Sequence, residues 1–113
     1  MNQPGRGSAM DKMDDRTSSE LERLAGKYIW WKAPAEAVKT PERVLAQVMD
    51  IGVWQDMFLI RDLFGEEILR AVLRNAEAGW FRGRSWHYWH YVLGLAKDSS
   101  DIPPLPTRRF DAR

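Results

Sequence analysis

Thr40-Pro41-Glu42-Arg43-Val44-Leu45-Ala46-Gln47-Val48-Met49-Asp50-Ile51-Gly52 reads as one helix with a marked start and a marked stop. Thr40 is a good N-cap, and Pro41 suits a first helical position, where no backbone N–H is needed. Val44, Leu45, Val48 and Met49 then fall at i, i+1, i+4 and i+5, an apolar stripe of helical period. Gly52 closes the segment.

The same grammar repeats on both sides. Upstream, Thr17 and Glu20 have capping-box spacing, and Leu21, Leu24 and Tyr28 follow at helical intervals. Gly26 is expected to end that helix early, and Pro34 again suits a first helical position. Downstream, a helix is expected from about Trp54, with Met57, Phe58, Leu63 and Phe64 apolar and a stop at Gly65. Another carries Ile68, Leu69, Val72 and Leu73 and is expected to stop at Gly79. The last takes Ser85 as N-cap, sets Trp86, Trp89 and Leu93 on one face, and stops at Gly94.

No stretch alternates apolar and polar residues convincingly, and a short strand over residues 28–31 would have nothing to pair with. Neither an internal repeat nor a sustained heptad run is present. The predicted fold is all-α, a compact irregular bundle of four to five short helices with an extended Pro-rich C-terminal tail. Three regions follow: a disordered leader over residues 1–16, a helical domain over 17–95, and an extended Pro/Arg tail over 96–113.

The 113 residues suit one domain, with 44% apolar and 29% charged side chains. The six tryptophans, Trp30, Trp31, Trp54, Trp80, Trp86 and Trp89, are unusual in so small a chain. Each indole can bury on the order of 200 Å², more in total than a small core hides, so part of that surface is expected to face a partner. Net charge is +1, which gives no global argument for nucleic acid or an anionic membrane. The chain has no cysteine, so disulfides and thiolate chemistry are excluded. No apolar run is long enough to span a bilayer, and the N-terminus lacks a signal-peptide core; a cytoplasmic location is the expectation.

Catalytic patterns are weak. His87 and His90 have a spacing that brings two imidazoles to one metal, but no third ligand lies nearby and both sit among aromatics. Gly7, Ser8 and Asp11 imitate part of a nucleotidyltransferase signature without its strand and helix. Asp50, Asp56, Glu66 and Glu67 lie near expected helix ends, where acids complement the helix dipole. No catalytic triad and no phosphate loop are readable. The expectation is a non-enzyme, with no cofactor and no metal.

Recognition patterns are stronger. Arg70 and Arg74 lie one helical turn apart, and Arg82 and Arg84 follow beside Trp80 and Phe81. Arginine among aromatics grips single-stranded nucleic acid or an acidic protein face, or else pairs with Glu66, Glu67 and Glu77. The tail Pro103-Pro104-Leu105-Pro106 with Arg108, Arg109 and Phe110 suits an aromatic groove, on another protein or on this one.

Several of these strings together resemble a family of small bacterial proteins. They are Trp30-Trp31-Lys32, the run from Arg43 to Gly52, Phe64-Gly65-Glu66-Glu67-Ile68-Leu69, Arg84-Ser85-Trp86-His87-Tyr88-Trp89-His90, Pro103-Pro104-Leu105-Pro106 and Arg108-Arg109-Phe110. The resemblance spans residues 28–110. Genes of that family tend to lie beside AbiEii-type nucleotidyltransferase toxins, which implies an antitoxin-like or accessory partner role and brings no catalytic residues with it. The expected function is therefore a non-catalytic, antitoxin-like binding module acting through an aromatic/Arg surface. Its expected contact residues are Trp30, Trp31, Trp80, Phe81, Arg82, Arg84, Arg108 and Arg109, since large aromatics and arginine dominate interface hot spots. The alternative is a nucleic-acid-binding regulator with a helix-turn-helix-like segment over residues 54–78.

Overall fold

A computed structural model describes residues 14–107 of the chain. They form six α-helices: α1 (Asp15–Tyr28), α2 (Pro34–Ala37), α3 (Pro41–Ile51), α4 (Trp54–Phe64), α5 (Glu66–Arg74) and α6 (Gly83–Val92). A single 3-10 turn follows at Ser99–Asp101. The described residues contain no strand, and residues 28–31 leave α1 through a turn. The all-α architecture is as expected, with one helix more than the upper bound read from the sequence.

The stripe on α3 is the centre of the molecule. Val44, Leu45, Ala46, Val48 and Met49 are all fully buried, and α3 packs against each of the other five helices. Leu21, Leu24 and Ala25 of α1 and Leu69, Val72 and Leu73 of α5 close over it, as do Trp89 of α6 and the following Leu93. Apolar area removed from water drives this assembly, since no disulfide contributes.

Helix boundaries depart from the expected ones where a cap was misread. Helix α1 begins two residues inside the segment read as leader: the N-cap is Asp14, whose Oδ1 accepts from the Thr17 amide at 2.8 Å. Thr17 therefore lies within the first turn and is itself buried. Gly26 does not end the helix, which continues to Tyr28. Packing of Ala25, Tyr28 and Ile29 into the core outweighs the modest helix-breaking tendency of glycine. Likewise Ser85 is not the N-cap of α6; Arg82 is, and Ser85 lies a turn inside. Helix α5 ends at Arg74, with Asn75 as its C-cap, short of the expected stop at Gly79.

Three glycine stops do behave as expected, Gly94 among them, which follows the C-cap of α6 with φ +75°. Gly65 takes φ +87° between α4 and α5, a conformation that L side chains rarely adopt. Gly52 acts through space instead: a Cβ there would run into the Val48 carbonyl oxygen. That oxygen accepts the Gly52 amide at 2.7 Å.

The end of α3 is held from two sides. The Trp89 Nε1 donates to the Met49 carbonyl at 2.8 Å, and the Tyr28 hydroxyl oxygen accepts from the Val53 amide at 3.1 Å. Tyr28 also donates to Asp56 Oδ2 at 2.7 Å. Asp56 is 5% exposed; it takes Lys27 Nζ at 2.7 Å and Arg23 Nη2 at 3.4 Å. Burial pushes the Asp56 carboxyl up, yet the hydrogen bonds from Lys27 and Tyr28 and the Lys27 charge outweigh it and hold the group below its ordinary range. Burial, with Asp56 adjacent, pushes the Tyr28 hydroxyl up.

Beyond α6, Trp86 Nε1 donates to the Pro103 carbonyl at 2.7 Å, and Ile102 and Leu105 pack partly buried against the core. This part of the tail lies on the chain's own domain. Phe110 of the same tail falls outside the described residues.

Candidate partner-binding surface

Three of the six indoles are open to solvent: Trp30 is 79% exposed, Trp54 58% and Trp31 46%. Trp86 and Trp89 belong to the core, and Trp80 is half-buried at its edge. An indole in water forgoes a large burial gain, so its position on the surface calls for a reason.

The exposed rings are organised around one face of α3. Arg43, Gln47 and Asp50 fall at i, i+4 and i+7, so they share a stripe on that helix. At its start, the Arg43 guanidinium carbon lies 5.8 Å from the Trp31 ring centroid and 5.5 Å from that of Trp80. Both distances suit cation–π attraction. Arg43 Nη1 also donates to Gln47 Oε1 at 3.0 Å. Burial holds the Arg43 guanidinium below its ordinary pKa, against the opposing pull of Asp50 and Glu77. Trp30 extends this end, its ring edge-on to Trp31 with centroids 5.4 Å apart.

At the far end of the stripe, Asp50 ties down the start of α6. Its Oδ1 accepts from the Arg82 amide at 3.0 Å and from the Ser85 hydroxyl. The Arg82 Nε lies 3.5 Å from Oδ2. An acid bonded to the amide at a helix start satisfies a donor that has no partner within the helix. Next to Asp50 lies a groove of about 280 Å³ lined by Met49, Trp54, Met57, Tyr88 and the two arginines of the loop and first turn, Arg82 and Arg84. Trp54 anchors its outer wall, stacked on Phe58 at 6.1 Å and edge-on to Tyr88 at 5.8 Å. Phe58 is 59% exposed.

The structure brings most of the expected contact residues into this strip but not all. Trp30, Trp31, Trp80, Arg82 and Arg84 lie along it. Phe81 does not: it is 6% exposed and its ring lies 5.6 Å from that of Trp86, inside the core. Arg108 and Arg109 lie outside the described residues. Sequence reasoning missed Arg43, Trp54, Phe58 and Tyr88. The sequence places Phe58 among the apolar residues of its helix and marks Trp54 only as the start, whereas α4 buries Asp56 and Ile60. An acid in the first turn, spaced i, i+4 from Ile60, was the available signal.

Other arginines are neutralised within the chain. Arg70 pairs with Glu66 at 3.3 Å and Glu67 at 3.0 Å and donates to the Leu93 carbonyl at 2.8 Å. Arg74 lies 3.6 Å from Glu67, and Arg61 pairs with Glu66. Only Gly65 separates α4 from α5, against the turn of about three to four residues in a helix-turn-helix. His87 and His90 each turn Nδ1 to the carbonyl one helical turn back, Gly83 at 2.9 Å and Trp86 at 2.7 Å. Among the described residues no group of three or more His, Cys, Asp or Glu could hold a metal ion, and no helix is long and apolar enough to cross a membrane.

Comparison with protein-family models, with curated proteins and with solved structures finds no match for this chain.

Proposed function

We propose that this chain is a non-catalytic protein-binding module, antitoxin-like, whose partner is a nucleotidyltransferase of the AbiEii type. The observation that carries the binding role is the strip along α3. Trp30 and Trp31 stand at one end and Trp54 at the other, all substantially exposed, with Arg43 and Arg82 held between them by Trp80 and Asp50. Aromatic rings fixed in place with guanidinium groups among them are the residue types that dominate interface hot spots, because they lose little freedom on docking. The partner's identity is taken from the resemblance in sequence and from nothing else.

Protein is favoured over nucleic acid because the arginines of α4 and α5 are paired with Glu66 and Glu67. Counterion release from phosphates needs cations that are free to replace them.

Co-expression with an AbiEii-type nucleotidyltransferase from the same genome, followed by size exclusion, tests the reading. Co-elution at micromolar concentration is expected. Independent elution would remove the proposed partner. A gel shift with RNA that weakens steeply with salt would move the assignment to the nucleic-acid alternative.

A further inference from the structure

The groove beside Asp50 has a definite chemistry. Its walls are the side chains of two helices: Trp54 and Met57 at i, i+3 on α4, and Ser85 and Tyr88 at i, i+3 on α6. Met49 forms part of the lining. Paired i, i+3 ridges with a furrow between them receive the ridge of a third helix. Methionine on such a surface adapts its shape to whatever large side chain enters. Ile51 at the end of α3 and Val53 just before α4, close in sequence to the lining residues Met49 and Trp54, are 46% and 49% exposed.

The rim carries a net positive charge. Arg82 has a 71% exposed side chain, and its carboxylate partner Asp50 is 10% exposed. Asp50 is also committed to the Arg82 amide and the Ser85 hydroxyl. Arg84 is exposed and makes no ion pair among the described residues. The groove therefore presents apolar walls and two guanidinium groups to solvent.

Resting on the protein-binding reading above, we infer that this groove seats an amphipathic helix of the partner that carries Asp or Glu beside its apolar ridge. Charge complementarity selects the acidic flank: carboxylates near Arg82 and Arg84 gain attraction, whereas lysines there would be repelled. The mode of docking follows from the secondary structure. With no strand among the described residues there is no sheet edge for an extended peptide to join. The chain's own proline segment is engaged elsewhere, with the Pro103 carbonyl on Trp86.

The test uses the full chain, immobilised, and a random library of displayed peptides of about 16 residues, long enough to form a helix once docked. Enriched sequences are expected to place large apolar residues at i, i+3 or i+4, and i+7, with acidic residues outnumbering basic ones. Binding of the best peptide should fall about tenfold or more on W54S and on Y88S, as for loss of an anchor. Both residues are exposed, and circular dichroism melting checks that each variant stays folded. R84E should weaken the acidic peptide and favour its lysine-substituted twin.

The inference is overturned if nothing is enriched, or if enriched peptides are basic, charge-indifferent or proline-rich. It is equally overturned if W54S and Y88S bind as the parent does. Self-association abolished by W54S would assign the groove to a second copy, and RNA binding abolished by R84E to nucleic acid; each overturns it. The two proposals fail separately. A nucleotidyltransferase complex that W54S, Y88S and R84E leave intact removes the groove while keeping the partner. Acidic helices that bind without any such complex keep the groove and remove the partner.

Discussion

The Met49 carbonyl and the Val53 amide, which one more turn of α3 would join, are held by side chains from opposite ends of the chain. Trp89 donates to the carbonyl and Tyr28 accepts from the amide. Gly52 thus marks the stop, while two aromatic residues remove the cost of breaking the ladder there. W89F keeps most of the ring but leaves a buried carbonyl unpartnered, a loss of about 1–3 kcal/mol, with a further loss from packing. Y28F leaves both the Val53 amide and Asp56 short of a bond and should cost a similar amount. Urea unfolding followed by circular dichroism measures both.

Stability should fall at both extremes of pH through the same cluster. Asp56 is held below its ordinary range in the folded chain, so its contribution is present above about pH 4. It is lost as pH falls through the depressed folded value. Tyr28 is raised above its ordinary range, so its contribution is present below about pH 10 and is lost as pH rises through the folded value. The difference in stability between the parent and D56N should therefore narrow on acidification. Y28F should flatten the alkaline limb. Asp14, Glu66 and Asp98, also lowered, leave D56N some residual acid sensitivity. Melting temperatures from pH 2 to 11 in each variant decide it; a constant difference between parent and D56N at low pH would contradict the assignment.

Glycines should differ sharply in what alanine does. At Gly52 the new methyl meets the Val48 carbonyl oxygen, so G52A must shift backbone and should cost about 1–3 kcal/mol. At Gly83 a methyl would meet nothing within 4 Å and φ is not positive. G83A should therefore stabilise by about 0.4–1 kcal/mol through the unfolded state. Thermal melts of the two variants should move in opposite directions.

Trp30 and Trp31 should matter for binding more than for folding. W30S and W31S remove largely exposed rings; W30S should change stability by no more than about 0.5 kcal/mol. W31S should cost slightly more, since Arg43 loses one of its two ring contacts. Partner affinity should fall about tenfold or more in each, as for a truncated aromatic anchor. Calorimetry with the purified partner beside unfolding curves separates the two effects.

Much of the fold was legible because its signals are local. The α3 stripe, Pro41 at the first position and the stops at Gly52 and Gly65 need only neighbours in sequence. The true caps of α1 and α6 were less accessible: Asp14 competes with Thr17 by one bond, and Arg82 is fixed by Asp50, distant along the chain. Periodicity shows that a helix has an apolar side but not whether a neighbour covers it. That is why Phe58 reads as part of an apolar helix side and Phe81 as a contact residue, the reverse of their burial. Arg43 was invisible as a surface element because its meaning comes from Trp31 and Trp80, which approach it from separate loops.

Because α3 lies mid-chain and packs against every other helix, it has no shelter until segments both before and after it have emerged. A nascent chain that has released α1 to α3 still exposes the side of the stripe that α5 and α6 will cover. Synthesis must run past Trp89 before the Met49 carbonyl loses its need for water. Burial of that apolar centre therefore waits for α6 to emerge, and until then the unfinished polypeptide leaves part of the stripe open to other chains.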